Sequence, residues 1–153
     1  MLSRQDSAKI KEIVEEFFRK MTFPVEVNVR PLREQTLTVD VDAENPQVLI
    51  GEKGQTLLEI QRLLKVILRK KIDQAFYLDL DVNGYKEKKI GYLKQLARSV
   101  ADDVALNKKE KVLPPMPAYE RRIIHLELAD RGNITTESVG REPERKVVIR
   151  AYP

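Results

Sequence analysis

The sequence contains no cysteine, so neither a disulfide nor a thiolate metal site is available to it. It also lacks any stretch approaching the roughly 18 apolar residues of a membrane span. The opening residues, MLSRQDSAKIKEIVEEFF, hold no long uncharged run and do not look like a signal peptide. The sequence contains no low-complexity tract that would indicate disorder. These absences predict a soluble, cytoplasmic protein with no membrane span.

Composition and charge then bound the architecture. The 153 residues are 42% hydrophobic and 34% charged, which suits one ordinary domain or two small ones. The formal net charge is +4, and it is unevenly distributed. Residues 1–85 hold 13 Lys+Arg against 14 Asp+Glu, whereas residues 86–153 hold 15 against 10. The basic second half is the part expected to touch phosphates over a broad face.

Hydrophobic periodicity predicts the elements of the first half. An amphipathic helix, two alternating strands that form a hairpin, a short helical turn, a long helix and a third strand follow one another. Their predicted bounds are Ser7–Lys20, Val25–Val29, Leu37–Val41, Gln47–Ile50, Gln55–Ile72 and Tyr77–Val82. The turn signal Asn83-Gly84 ends this series, so the first domain is expected to cover residues 1–84.

The second half reads as another small α+β unit, residues 85–153. A long helix is expected from about Lys86 to Leu106, followed by a basic, polar break over residues 108–111. A proline-rich turn then precedes a helix from about Ala118 to Ala129, since Pro117 suits a helix start. Two short strands, Ile134–Val139 and Lys146–Arg150, complete it.

One candidate site is a glycine pair between two predicted helices. In Ile50-Gly51-Glu52-Lys53-Gly54, followed by Gln55, two glycines three apart allow a tight turn that a phosphate backbone can approach. A plain helix–turn–helix corner is the alternative and would be favoured for an isolated GxxG. The flanking order of elements reverses that preference, because it is the order of the type II KH fold, whose loop clamps about four nucleotides. A nucleotide P-loop is excluded, since GxxxxGK[ST] does not occur.

Two further basic candidates lie in the second half. Arg121 and His125 are four residues apart on a predicted helix that also carries Arg122, so they share a face. Both are expected to point outward, next to the basic loop of Arg141 and Arg145. Alternatively His125, the single histidine, is a satisfied core or boundary residue. A metal site is poorly supported because no second histidine or cysteine is present. The loop around Arg141 and Arg145 is expected to extend the basic face, or else to be a solvated hairpin tip.

These residues closely resemble the Jag, or KhpB, family of bacterial RNA-binding proteins, also called SpoIIIJ-associated proteins. The matching stretches are LIGEKGQTLLEIQRLL, LDVNGYKEKK, PPMPAYERRIIHLEL and KVVIRAYP. The resemblance implies a type II KH domain followed by an R-3-H domain, named for an arginine and a histidine separated by three residues. Both domains bind single-stranded nucleic acid in that family. The family motifs map to residues 51–54 and to Arg121 and His125.

A tandem module for single-stranded nucleic acid is therefore the leading interpretation, with RNA favoured over DNA and avidity from two weak sites on one strand. The resemblance adds post-transcriptional regulation, a KH-only protein partner and a possible homodimer. A protein–protein adaptor is the second hypothesis. An enzyme is the third hypothesis. The chain has 24 carboxylates but only one histidine and no catalytic signature, so no residue can be assigned as a catalytic acid or base and no cofactor site is expected.

Overall fold

The computed structural model describes residues 2–153 and divides the chain into two compact units. The first unit ends at Lys86 and the second begins at Glu87, within the first turn of a continuous helix. Each unit mixes helices with a three-stranded sheet, which confirms the predicted α+β class. No helix within residues 2–153 is long and apolar enough to cross a membrane.

The first unit contains three helices and three strands in the predicted order. They are α1 (Arg4–Lys20), β1 (Val25–Val29), β2 (Thr36–Ala43), α2 (Pro46–Ile50), α3 (Gln55–Lys71) and β3 (Tyr77–Val82). The helix α1 begins three residues before the predicted Ser7 because Ser3 caps it. The Ser3 hydroxyl accepts from the Asp6 amide at 3.0 Å, and the Asp6 carboxylate accepts from the Ser3 amide in return.

The sheet of the first unit has the order β1-β2-β3. The strands β1 and β2 pair antiparallel, which confirms the predicted hairpin, and β2 pairs parallel with β3. Alternate residues of β2, namely Leu37, Val39 and Val41, are fully buried, as the period of a half-buried strand requires. Helices α1 and α3 contribute their apolar faces to the same core.

The second unit is built on α4 (Tyr85–Asn107), whose first two residues belong to the first unit. It continues with β4 (Lys111–Val112), α5 (Ala118–Leu128), β5 (Ile134–Val139) and β6 (Lys146–Ala151). All pairings are antiparallel, in the order β4-β6-β5. The predicted irregular break over residues 108–111 is wrong at its end, because Lys111 pairs with Ile149 and starts β4. A strand of two residues is too short to show the alternation of apolar and polar residues, so β4 is recognised only by its pairing with β6.

Candidate nucleic-acid interface

The GxxG loop joins α2 to α3 through a single turn of 3-10 helix at Glu52–Gly54. Gly51 has φ +72° and ψ −175°, a region that essentially only glycine occupies. A methyl group on Gly51 would lie 2.1 Å from the Thr56 hydroxyl oxygen and 2.6 Å from Thr56 Cβ. The first glycine is therefore required both by the backbone conformation and by the close approach of α3.

The second glycine of the loop faces an aromatic ring. Gly54 is left-handed, with φ +78°, and a methyl group there would lie 2.9 Å from Cε1 of Tyr85. Tyr85 is half-buried at the start of α4 and packs on the core of the first unit. Tyr85 is not among the residues predicted for the site, although it directly follows the Asn83-Gly84 turn. The Tyr85 ring therefore occupies the space that a side chain at position 54 would need.

Two exposed side chains of opposite charge form the tip of the loop. Glu52 and Lys53 are exposed, and within residues 2–153 neither makes an ion pair. Lys53 itself has φ +55°, so the tip is held in a left-handed conformation by its flanking turns. The Lys53 ammonium is consequently free to meet an anion that approaches the loop.

The two residues that flank the GxxG loop differ in how accessible they are to a nucleic-acid strand. Gln55 is exposed and its amide donates to the Glu59 carboxylate at 2.9 Å. Ile50 is only 6% exposed and belongs to the core. This burial corrects the prediction for Ile50, because its side chain anchors α2 and is not available for contact.

The structure also corrects the prediction that Arg121 points outward. Arg121 is 7% exposed. Its Nε donates to the Met116 carbonyl at 3.1 Å, and its Nη2 makes an ion pair with the Glu142 carboxylate. The guanidinium thus joins the proline-rich turn to the tip of the β5–β6 hairpin. The expectation that this tip lies beside Arg121 is confirmed by the Glu142 contact.

His125 is half-buried and lies between the two alternatives considered for it. Its Nδ1 is 2.7 Å from the Thr136 hydroxyl and its Nε2 is 2.8 Å from the Ser138 hydroxyl. Both ring nitrogens are therefore engaged by β5. Burial, and secondly the Arg121 charge, lower the pKa of His125 below its ordinary value of 6.5. A neutral imidazole fits this setting, since one nitrogen donates and the other accepts.

The remaining predicted cations separate into structural and free ones. Arg145 donates through Nη1 to the Gly140 carbonyl at 2.7 Å and through Nη2 to the Ser138 carbonyl at 3.2 Å, so it closes the hairpin tip. The side chains of Arg122 on α5 and Arg141 at the tip are exposed and, among the described residues, make no hydrogen bond or ion pair. These two guanidinium groups are the ones available to a phosphate.

Ion pairs neutralise several other basic side chains of the second unit, so its excess charge overstates the free cationic surface. The pairs are Arg98–Glu127 at 3.0 Å, Lys111–Asp103 at 3.3 Å, Arg131–Asp102 at 2.7 Å, and Arg150 with both Glu110 and Glu137 at 2.8 and 2.5 Å.

Comparison with known proteins relates the sequence of this chain to a family. Residues 92–151 match the model of the R-3-H domain. The RNA-binding protein KhpB of Clostridium symbiosum is 34% identical over 142 residues, which is 92% of this chain and 64% of that protein. KhpB of Lactiplantibacillus plantarum is 38% identical over 112 residues, 73% of this chain and 35% of that protein. KhpB of Bacillus subtilis is 36% identical over 117 residues, 75% of this chain and 56% of that protein.

This chain belongs to the KhpB family. It spans between 35% and 64% of the lengths of these three KhpB relatives. The R-3-H match includes Arg121 and His125, together with Thr136, Ser138 and Glu142, which hold them. The GxxG loop lies outside that match but inside the first unit.

The side chains that hold the R-3-H pair in this KhpB family member were missed from the sequence. Thr136 and Ser138 alternate on β5 and so share one face of the strand, which was a usable signal. Glu142 gave no signal, because its ion pair joins residues 21 positions apart. Within residues 2–153 no group of three or more histidine, cysteine, aspartate or glutamate side chains is arranged to hold a metal ion.

Proposed function

We propose that this chain binds single-stranded RNA through two modules and acts in the cytoplasm as a non-enzymatic, post-transcriptional regulator. The observation that carries the proposal is the GxxG turn, whose two glycines are each enforced by a close contact and whose tip presents an unpaired Lys53. The KhpB relatives are named RNA-binding proteins, which agrees with this assignment.

The first module is assigned as a type II KH domain, residues 1–84. Its elements follow the order α, β, β, α, α, β, with the loop between the last two helices. The loop lies at the N-terminus of α3, whose helix dipole favours the negative charge of a phosphate. A loop of this kind clamps the backbone of about four nucleotides.

The second module, residues 85–153, is assigned a different arrangement from the one expected from the sequence. Arg122 and Arg141 supply the phosphate contacts because they are exposed and unpaired. Arg121 and His125 hold α5, the proline-rich turn and the hairpin in the geometry that presents them. None of these groups selects a ribose, so single-stranded DNA is a second ligand of the same site. A KH-only protein partner or a second copy of the chain would add further sites on the strand.

The test changes charge at the loop while respecting its conformation. In Glu52→Asp with Lys53→Asp, aspartate tolerates the left-handed backbone of position 53. Losing one exposed cation and adding one anion beside a phosphate is expected to cost about 0.5–2 kcal/mol of binding free energy. Lys108→Asp is the matched control, since Lys108 is also exposed and left-handed, with φ +59°.

Binding is measured by fluorescence anisotropy with an unstructured single-stranded RNA, from about 50 to 200 mM salt. The loop variant should bind more weakly than the control, and its logarithmic salt slope should be shallower by about 0.7 for one lost phosphate contact. Equal affinities for the folded loop variant and the control would refute the role of the loop. Turnover of the RNA by the parent chain would refute a purely binding function.

A further inference from the structure

The two edges of the sheet in the first unit differ in how side chains protect them. At the β3 edge the Leu80 amide donates to the Gln61 side chain at 2.9 Å. The Val82 amide donates to the Asp81 carboxylate at 3.0 Å, so both amides are unavailable to a further strand. The other edge is β1, whose five residues, VEVNV, contain no lysine, proline or bulge. Such features are the ones that commonly keep an edge strand from pairing with another chain.

The backbone of β1 presents hydrogen-bonding groups at this open edge. The Arg30 amide donates to the Thr38 carbonyl at 2.9 Å, so these two residues form a hydrogen-bonded pair of the antiparallel ladder with β2. Such pairs alternate along a ladder, so the N–H and C=O groups of Val25, Val27 and Val29 point away from β2. Among the described residues these groups have no hydrogen-bond partner.

The ladder that β1 offers is closed at both ends. The next outward donor after Val29 would be residue 31, which is Pro31 and has no N–H. The next one before Val25 would be Phe23, whose amide already donates to the Phe18 carbonyl at 3.0 Å. A strand that joins this edge is therefore limited to the length of β1 itself.

The sequence of β1 is complementary to itself. A closed dimer of identical chains has two-fold symmetry, which pairs this strand antiparallel with its copy. When the pairing is centred on Val27, Val25 faces Val29 and every outward backbone group finds a partner. Glu26 then lies opposite Asn28 of the second copy, where a carboxylate can accept from an amide. Centring the pairing on Glu26 would instead oppose two glutamates, which is destabilising.

We propose that β1 is a contact between two copies of this chain and that it joins their three-stranded sheets into one continuous sheet. The α2–α3 segment that carries the GxxG loop packs on β3, at the opposite edge. The dimer therefore leaves both loops open. This assembly surface goes beyond the proposed function, and it does not depend on RNA binding.

A disulfide can report the register directly, because the full chain has no cysteine of its own. A strand of five residues buries much less than the roughly 1,600 Å² of a standard interface, so the dimer is expected to be weak and is best trapped covalently. Side chains opposed in a non-hydrogen-bonded pair have Cα atoms about 4.5 Å apart, within the range of a disulfide. Glu26→Cys and Asn28→Cys chains with different tags are therefore mixed and oxidised.

The expected pattern follows from which residues face each other. Crosslinks between Glu26→Cys and Asn28→Cys should exceed those within either variant at least about five-fold. In the control, Asp42→Cys replaces Glu26→Cys. Asp42 is also exposed but lies on the central strand β2, so this variant should give only collisional crosslinks with Asn28→Cys.

Lysine substitutions test the same register without a crosslink. Asn28→Lys places a cation opposite Glu26 of the second copy, twice per dimer, and should tighten the dimer about two- to thirty-fold in sedimentation equilibrium. Adding Glu26→Lys to it opposes lysine to lysine and should abolish the dimer. Within the chain both lysines face aspartates of β2, Asp42 and Asp40, so the fold is not weakened. Glu26→Lys alone opposes a lysine to an amide and should associate as the parent does.

Four results overturn the inference. Mixed cysteine variants that crosslink no better than the Asp42→Cys control reject the contact, and equal crosslinking within and between variants rejects the register. The register is also rejected by an Asn28→Lys chain that dimerises more weakly than the parent, or by a double lysine variant that dimerises equally well. If a cysteine variant fails to fold, the lysine variants decide. A chain that dimerises as described but binds no RNA refutes the proposed function alone.

Discussion

Replacing Arg121 by alanine is expected to destabilise the second unit rather than to remove an exposed contact with RNA. The Arg121 side chain is 9% exposed and its guanidinium makes two bonds. One goes to the Met116 carbonyl in the proline-rich turn and the other to Glu142 at the hairpin tip. Alanine would disconnect both segments from α5.

The two bonds contribute unequally to the free energy of unfolding. A hydrogen bond from a charged donor to a buried carbonyl contributes about 1.5–3 kcal/mol. The ion pair adds at most about 1 kcal/mol, because the Glu142 side chain is 58% exposed and solvent screens it. With some lost packing of the aliphatic stem, the total is about 2–4 kcal/mol. For a unit of this size each kcal/mol lowers Tm by about 4–8 °C, so a decrease of at least about 8 °C is expected.

Arg122→Ala provides the matched comparison on the adjacent residue. Arg122 is exposed and unpaired among the described residues, so its removal should change stability by less than about 0.5 kcal/mol. It should instead weaken RNA binding, and the loss should shrink as salt rises. Thermal unfolding followed by circular dichroism, and RNA binding measured near 10 °C, where both variants are folded, separate the two effects.

The reasoning fails if Arg121→Ala and Arg122→Ala melt at the same temperature. It also fails if Arg121→Ala melts as the parent does and loses RNA affinity, because Arg121 would then be a contact residue. Glu142→Gln completes the series. It removes the ion pair but keeps a hydrogen-bond acceptor, so its cost should stay below about 1 kcal/mol.

Two further predictions concern His125 and Gly51. The lowered pKa of His125 means that the unfolded chain binds a proton at this residue more readily than the folded chain does. The neutral imidazole therefore contributes its full stability above about pH 6.5, the ordinary pKa. That contribution is lost as the pH falls through the lower pKa of the folded state. Melting at pH 7.5 and 5.5 should therefore show a smaller acid-induced decrease for His125→Gln than for the parent, and identical decreases would exclude His125 as the source. Gly51→Ala should cost at least about 1–3 kcal/mol through its backbone conformation alone, with the Thr56 contact adding to it. Gly132→Ala, where a methyl group meets nothing within 4 Å, should be nearly neutral in chemical denaturation, and similar costs at both glycines would contradict the argument.

The burial of Arg121 shows how a spacing argument went wrong. Arg121 and His125 are four apart and do share a side of α5, as predicted. However, Arg121 also precedes Ile124 by three residues and Leu128 by seven, which places it beside the buried stripe of the helix. The sequence contained this signal. An arginine can occupy this buried position because Met116 and Glu142 satisfy its guanidinium in the fold.

The sequence by itself determined the helices, five of the six strands and the GxxG turn, because periodicity, prolines and glycines act over a few neighbouring residues. Tertiary structure alone decided the strand β4, the position of the Tyr85 ring at Gly54, and the division of the basic residues into structural and free ones. The first two depend on a partner many positions away in the chain, and the third depends on which carbonyls and carboxylates the fold brings within reach of each guanidinium. Local pattern fixes which groups a residue offers, but only the packed fold decides which of them are already satisfied and which are left for a ligand.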